Sequence, residues 1–145
     1  MNLRIRILVG AANPHKETLE EFAGSRDDIE ILSNQTEMLP HMCWSDIVIS
    51  GAGTTCWELC YLGKPTALVI TAENQRASAL ALTERGAAVL LGDGATMGDD
   101  RFACIMDELI NDPDRRQSLA DISGTLVDGR GVERVISVIQ RRQGN

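Results

Sequence analysis

A glycine-rich turn between an apolar run and a helix-forming stretch has the residue types and spacing suited to binding a phosphate. This glycine turn is Gly51-Ala52-Gly53-Thr54-Thr55, and it follows the apolar run at residues 47–50. Glycines let a ligand approach the backbone closely, while the free N–H groups and the dipole of a following helix attract an anion. Both threonines add hydroxyl donors. Any tight strand-to-helix turn also needs glycine, so from these residues alone a phosphate site and a purely structural turn carry similar weight.

Glu58 lies three residues after Thr55, and two roles are open for it. T-x-x-E is the capping-box pattern, in which the glutamate accepts a hydrogen bond from the backbone N–H of the residue that caps the helix. A carboxylate one turn inside a phosphate-binding helix can instead accept hydrogen bonds from ribose hydroxyls, as acidic residues do in dinucleotide-binding folds. The geometry at the start of the helix decides between these roles.

A second polar segment, Thr71-Ala72-Glu73-Asn74-Gln75, follows the next apolar run at residues 67–70. Because parallel strands end at the same edge of a sheet, this segment and the glycine turn should face one cleft. Asn74 and Gln75 offer amide donors and acceptors that suit sugar hydroxyls, and Thr71 or Asn74 can also cap the following helix. Capping and binding are compatible roles.

Short apolar runs alternate with helix-forming stretches, which predicts the elements that position these residues. Strands are predicted at residues 5–9, 29–32, 47–50, 67–70 and 88–91. Helices are predicted at residues 15–22, 37–44, 55–62 and 75–85, with Gly24, Gly63 and Gly86 at their ends, followed by a helical tail at 101–110, 113–123 and 132–142. This βαβα order predicts an α/β fold, a Rossmann-like doubly wound parallel sheet of about five strands with helices on both faces.

Length, composition and charge limit the class of protein. The 145 residues, 43% of them hydrophobic, are predicted to form a single domain over residues 1–145. Trp44 and Trp57 are expected to pack as apolar anchors, with stacking on a sugar as the minor alternative. A net charge of −7 and scattered basic residues argue against a nucleic-acid partner. No apolar run approaches the ~20 residues of a membrane span, and the N-terminal run is too short for a signal peptide, so a cytoplasmic protein is expected.

The cysteines and histidines are predicted to have structural rather than chemical roles. Cys56 and Cys60 share a helix face without a His or Asp at matching spacing, which favours buried thiols over a nucleophile or a metal pair. His15 and His41 each follow a proline at or within a helix, where a solvated surface position is expected rather than a general base. No catalytic residue, metal ligand or cofactor is therefore predicted in this chain.

The run SDIVISGAGTTCWELCYLGKPTALVITAENQ, residues 45–75, resembles the C-terminal, nucleotide-binding half of GT-B-type UDP-sugar enzymes. It is most similar to the UDP-sugar hydrolase of pseudaminic acid biosynthesis and the related spore-coat polysaccharide proteins. It is more distantly similar to the N-acetylglucosaminyltransferase of the peptidoglycan lipid intermediate. The resemblance extends from about residue 5 to residue 91 and includes the P-x-x-x-T-L-E element at residues 14–20.

The resemblance implies roles for individual residues. In that family the glycine turn and its helix hold the diphosphate, and the helix glutamate contacts ribose, which implies Glu58. The Asn-Gln pair approaches the sugar, which implies Asn74 and Gln75. The loop after the second strand holds uracil through backbone groups, which implies Asn34 and Gln35, although this sequence lacks the family's aromatic or aliphatic residue there.

The resemblance also implies parts that this chain is expected to lack. Relatives have an N-terminal half that carries the catalytic base, and their C-terminal half opens with a further strand and its own glycine-rich turn. The chain is therefore expected to bind weakly and to turn over nothing by itself. Its expected partners are a UDP-sugar and either a separate N-terminal half or a second copy that covers exposed strand edges.

The expected function is that of the UDP-sugar-binding domain of a glycosyltransferase or UDP-sugar hydrolase in polysaccharide or nonulosonic acid biosynthesis. Its contribution would be electrostatic stabilisation of the UDP leaving group, and the sequence leaves transfer and hydrolysis open. The alternative is a truncated, non-catalytic domain that acts as an interaction or regulatory module. A domain for adenine cofactors is disfavoured, because neither G-x-G-x-x-G after the first strand nor G-K-[ST] occurs.

Overall fold

Strands and helices alternate along the chain in the computed structural model, which describes residues 3–143. The strands are β1 (Ile5–Val9), β2 (Ile29–Ser33), β3 (Val48–Gly51), β4 (Thr66–Ile70) and β5 (Val89–Asp93). The helices are α1 (Lys16–Ala23), α2 (Leu39–Trp44), α3 (Thr55–Tyr61), α4 (Arg76–Glu84), α5 (Asp99–Asn111), α6 (Pro113–Gly124) and α7 (Gly131–Gln143), with a 3-10 turn at Glu73–Gln75. All predicted elements are present, with ends shifted by at most two residues. None of these helices is both long and apolar enough to cross a bilayer.

All strand pairs are parallel, and their hydrogen bonds form two sheets. β1 pairs with β2, and the other sheet has the order β3-β4-β5. The chain forms two compact units, Met1–His41 and Met42–Asn145, with one sheet in each. The parallel strands and the helices on both of their sides confirm the predicted Rossmann-like α/β class, with the five strands divided between sheets of two and three.

The core of the second unit lies on both faces of its sheet, because side chains along a strand alternate between faces. On one face, Leu68 of β4 packs with residues of α3 and α4. On the other face, Ala67 packs with Leu91 of β5, Leu109 of α5 and Leu119 of α6. Each of these leucines is fully buried and contributes about 2 kcal/mol of transfer free energy. This two-sided packing holds β4, and β3 pairs with β4 in parallel.

The first unit has a smaller core, formed around β1, α1 and β2. Val9 and Ala23 are the buried hydrophobic side chains within residues 3–41. An exposed ion pair joins Arg6 Nε to Glu30 Oε2 across the two strands at 2.6 Å, and such surface pairs add little stability. After β2 the chain turns at Asn34, whose φ of 56° lies in the left-handed region that Asn tolerates better than most residues.

Glycines end several helices, as predicted. Gly63 after α3 has a φ of 59°, and Gly86 after α4 has a φ of 70°, so both occupy the left-handed conformation typical of a helix C-terminus. Gly24 caps the end of α1 with a φ of −61°, which any residue can adopt. The left-handed turns lead directly into β4 and β5 and so help to set their starting points.

The prediction that Trp44 and Trp57 are core anchors is wrong. Their side chains are 38% and 42% exposed, respectively. The helices α2 and α3 are short and bury other positions, such as Met42 and Leu59, against the protein. The tryptophans therefore lie on the outer faces of these helices.

Candidate functional site

The glycine turn joins β3 directly to α3. The beginning of the turn is held by a hydrogen bond to β4. The Ala52 amide donates to the Val69 carbonyl at 3.1 Å, and the Ala52 side chain is buried in the core. Gly53 and Thr54 follow, and α3 begins at Thr55. The turn is thereby held at the carboxyl end of the sheet, where this class of fold binds ligands.

Three successive amides of the glycine turn have no hydrogen-bond partner within residues 3–143. These amides belong to Gly53, Thr54 and Thr55. The next two amides are bonded, since Cys56 donates to the Gly53 carbonyl at 3.2 Å and Trp57 donates to the Thr54 carbonyl at 3.1 Å. Thr54 is exposed, and its side chain makes no capping hydrogen bond. A run of unpaired donors before a helix is a favourable place for an anion.

Gln75 lies beside the glycine turn. Its Oε1 accepts hydrogen bonds from the Thr71 amide at 3.1 Å and from the Thr71 hydroxyl at 3.0 Å. A β-carbon on Gly53 would lie 3.7 Å from Gln75 Nε2, and one on Gly51 would lie 3.6 Å from Thr71 Oγ1. Asn74 is exposed on the same 3-10 turn as Gln75. The two polar segments therefore adjoin at one sheet edge, as the parallel pairing of β3 and β4 predicts.

Glu58 does not form the capping box that the T-x-x-E pattern allows. The N-cap of α3 is Thr54 rather than Thr55, so Glu58 occupies the fourth helical position, one beyond the position that a capping box uses. Glu58 is exposed, and its carboxylate accepts no hydrogen bond from the part of the chain that the structure describes. The carboxylate is therefore available to a ligand.

Asn34 and Gln35 lie in the first unit, after β2. The Asn34 amide donates to the Val9 carbonyl at 3.4 Å, and the Asn34 side chain is exposed. Gln35 is bonded locally, because its Nε2 donates to the Ser33 carbonyl at 3.2 Å and its Oε1 lies 3.1 Å from His41 Nε2. Contact of this loop with uracil through its backbone stays a prediction.

Sequence reasoning missed an ion-paired bridge beside the second polar segment. Arg76 Nε donates to Glu73 Oε1 at 3.0 Å, and its Nη2 donates to Asp93 Oδ2 at 3.1 Å. The hydrogen bond to Glu73, followed by that to Asp93, raises the pKa of the Arg76 guanidinium. The bridge ties the turn that carries Gln75 to the end of β5. An acidic residue two positions after the fifth apolar run, Asp93, was the available signal.

Cys56 and Cys60 are buried, which confirms that they have packing roles. They are 1% and 4% exposed, and the Cys56 thiol donates to the Gly53 carbonyl at 2.7 Å. Burial raises the pKa of Cys56, and burial together with the neighbouring Cys56 raises the pKa of Cys60 to about 11. Both are neutral thiols at physiological pH. Within the described chain, no group of three His, Cys, Asp or Glu side chains could hold a metal ion.

Comparisons with known proteins connect this geometry to a family. The sequence profile of the glycosyltransferase family 28 C-terminal domain matches residues 2–121. The chain is 27% identical over 133 residues to the spore coat polysaccharide biosynthesis protein SpsG of Bacillus subtilis, covering 92% of this chain and 39% of SpsG. It is 36% identical over 104 residues to the UDP-N-acetylglucosamine--N-acetylmuramyl-(pentapeptide) pyrophosphoryl-undecaprenol N-acetylglucosamine transferase of Porphyromonas gingivalis, covering 68% of this chain and 27% of that enzyme.

A solved structure shares the fold. The crystal structure of Acinetobacter baumannii MurG matches with a TM-score of 0.81 at 20% identity, covering 97% of this chain and 42% of MurG. The likeness at this identity concerns the fold alone. Together with the sequence matches, it confirms the resemblance to the C-terminal half of GT-B-type enzymes. The chain spans less than half the length of each of these three proteins.

Proposed function

Because the chain belongs to the glycosyltransferase family 28 C-terminal domain family, we propose that it binds the diphosphate of a UDP-sugar at the glycine turn. The observation that carries this proposal is the run of unbonded amides at Gly53, Thr54 and Thr55, with the amide of Gln75 beside it. A diphosphate offers oxygen acceptors to all of these donors. Since the whole chain has a net charge of −7, the attraction comes from these local dipoles rather than from overall charge.

Other residues would contact the remaining parts of the ligand. Glu58 has an unbonded carboxylate near the start of α3, which suits the paired hydroxyls of ribose. Gln75 lies beside the glycine turn, and Asn74 precedes it on the same 3-10 turn, so both would reach the sugar that is linked to the phosphate. The backbone around Asn34 and Gln35 would hold uracil, as the family resemblance implies.

Within a complete enzyme, this site would stabilise the UDP leaving group. Negative charge grows on the diphosphate as its bond to the sugar breaks, and N–H donors held in place beside the diphosphate lower the activation barrier of this step. Loss of one such donor typically lowers kcat by about 100- to 1,000-fold. Transfer to an acceptor hydroxyl and hydrolysis by water both release UDP, so the site serves a glycosyltransferase or a UDP-sugar hydrolase. The name of the Bacillus subtilis relative favours a role in polysaccharide synthesis, and the name of the Porphyromonas gingivalis relative makes UDP-N-acetylglucosamine the first donor to test.

The proposal assigns no general base to this chain. His15 is exposed at the start of α1, and His41 Nε2 lies against Gln35. The general base would lie outside this domain, in a part of the enzyme that the longer relatives have in addition to it. The domain by itself is therefore expected to bind its ligand and to turn over none.

Titration with nucleotides tests the proposal. UDP, UDP-N-acetylglucosamine and ADP would be added to the purified chain, and binding would be followed by calorimetry and by NMR. Saturable binding of UDP that is tighter than that of ADP is expected, and Glu58→Gln should weaken it by about three- to tenfold, the cost of one hydrogen bond. Glu84→Gln, an exposed glutamate on α4, is the matched control. No saturable response to UDP, or equal binding of ADP, would contradict the proposal.

A second candidate function, association without catalysis, is favoured by α7. Four apolar side chains at helical spacing on this helix are 49–71% exposed: Val132, Val135, Ile136 and Ile139. Exposed apolar stripes of this kind often mark surfaces that contact another protein. Light scattering after size exclusion tests this alternative, because a monomer at every concentration would count against self-association.

A further inference from the structure

The orientation of the Gln75 side-chain amide is set by Thr71. Gln75 Oε1 accepts one hydrogen bond from the Thr71 amide and another from the Thr71 hydroxyl, at 3.1 and 3.0 Å. A backbone N–H can only donate, so the atom facing it must be the amide oxygen and not the amide nitrogen. The opposite end of the Gln75 amide is therefore its NH2 group.

The NH2 group of Gln75 lies at the glycine turn. Nε2 is 3.7 Å from the point that a β-carbon of Gly53 would occupy, whereas the point for Gly51 lies 3.8 Å from Oε1 and 4.0 Å from Nε2. Neither hydrogen of this group has an acceptor within residues 3–143. Both hydrogens are therefore free to be donated to a ligand beside Gly53, whose backbone amide is also unbonded.

We propose that Thr71 is a positioning residue, which holds Gln75 so that its NH2 group donates to the phosphate oxygens of the ligand at the glycine turn. This role rests on the proposed function and adds a residue pair that determines which ligands the site accepts. A side-chain amide that is free to rotate could present either its oxygen or its nitrogen to the ligand. With its oxygen occupied by Thr71, Gln75 presents donors alone and so favours a ligand rich in acceptors.

Two variants separate positioning from direct contact. Thr71→Val keeps the shape of the side chain and the backbone donor but removes the hydroxyl, so the hold on Gln75 weakens. Gln75→Glu keeps the size of the side chain but places carboxylate oxygens where the NH2 group lies, next to an anionic ligand. The expected loss of UDP affinity is about three- to tenfold for Thr71→Val and at least about tenfold for Gln75→Glu.

Control variants distinguish the positioning of Gln75 by Thr71 from a general effect of the substitution. Thr71→Ser retains the hydroxyl and should bind UDP within about twofold of the wild type, since one net hydrogen bond is preserved. Thr18→Val, an exposed threonine on α1, controls for loss of a surface hydroxyl. Uridine, which lacks phosphate, should bind the wild type and Thr71→Val equally, whereas a general disturbance of the site would weaken both ligands. Thermal unfolding of each variant shows that it is folded.

The experiment is a titration of the 145-residue chain and its variants with UDP and with uridine, followed by NMR. The proposal expects the Gln75 NH2 signals, identified by their loss in Gln75→Glu, to shift with UDP and not with uridine. Binding of UDP by the wild type together with unchanged UDP affinity in Thr71→Val, or equal losses for UDP and uridine, would overturn the positioning role and leave the proposed function standing. Absence of UDP binding by the wild type would overturn both.

Discussion

Gly53→Ala is the substitution that tests the glycine turn most economically. Gly53 is not among the residues with a left-handed backbone, so alanine can adopt its conformation. The added β-carbon would lie 3.7 Å from Gln75 Nε2, which is an ordinary van der Waals contact and requires no shift of the protein. The variant should therefore fold with a stability close to that of the wild type.

The same methyl group would occupy the space between the glycine turn and Gln75, where the phosphate oxygens are proposed to bind. A displaced phosphate loses at least one hydrogen bond between a charged acceptor and an N–H donor, each worth about 1.5–3 kcal/mol. The dissociation constant for UDP should therefore rise by about 10- to 100-fold. Binding of uridine, which carries no phosphate, should change little.

Calorimetric titration with UDP, together with chemical unfolding, would measure both effects. Gly131→Ala is the matched control, because a β-carbon at Gly131, at the start of α7, would meet no atom within 4 Å. Wild-type UDP affinity in a folded Gly53→Ala variant would refute the reasoning. A large loss of stability would refute the premise that the glycine is there for the ligand rather than for the turn.

Three further predictions concern the core of the second unit and the cysteines. At pH 8 a thiol reagent should modify the exposed Cys43 and Cys104 quickly and reach Cys56 and Cys60 only after denaturation; four fast thiols would contradict the burial. The pKa of the Cys60 thiol is 9.0 in the unfolded chain, and burial raises it to about 11 in the folded protein. Ionisation therefore favours the unfolded state as the pH rises through this range. The free energy of unfolding should fall by about 2 kcal/mol between these two pKa values. In Cys60→Ala the free energy of unfolding, measured with denaturant, should no longer show this fall with pH. The same pH dependence in the variant and the wild type would contradict the assignment of this effect to Cys60. Leu68→Ala, at a fully buried position, should cost about 3 kcal/mol in denaturant unfolding, and a loss below 1 kcal/mol would contradict the described core.

The alternation of strands and helices was predictable because the short apolar runs and the glycine stops are local signals. Gly63 and Gly86 end their helices where the sequence indicates, since a left-handed turn is a property of a few consecutive residues. The division of the strands between two sheets depends on pairing between distant segments. Periodicity along the chain carries no information on that pairing.

The candidate site was predictable in part. The adjacency of the glycine turn and the segment with Gln75 follows from parallel strand order, and the structure places Gln75 beside Gly51 and Gly53. The role of Glu58 depended on whether Thr54 or Thr55 caps α3, a difference of one residue that propensities do not resolve. The bridge from Arg76 to Asp93 spans 17 residues and two elements, so only the fold brings it together.

The positions of Trp44 and Trp57 show a limit of reasoning from residue type. Large aromatic side chains have the most to gain from burial, which supported their prediction as anchors. Short helices present only a few positions to the core, and in α3 these are taken by Cys56, Leu59 and Cys60. Which face of such a helix turns inward is decided by packing rather than by the size of one side chain.

The central claim is that UDP binds through its diphosphate to the unbonded amides of the glycine turn, and mapping backbone amide shifts by NMR tests it most directly. With the uniformly labelled chain, titration with UDP should shift the amides of Gly53, Thr54 and Thr55 most strongly and saturably, while ADP should produce smaller changes. Saturable shifts confined to other parts of the chain, or none at millimolar UDP, would contradict the claim.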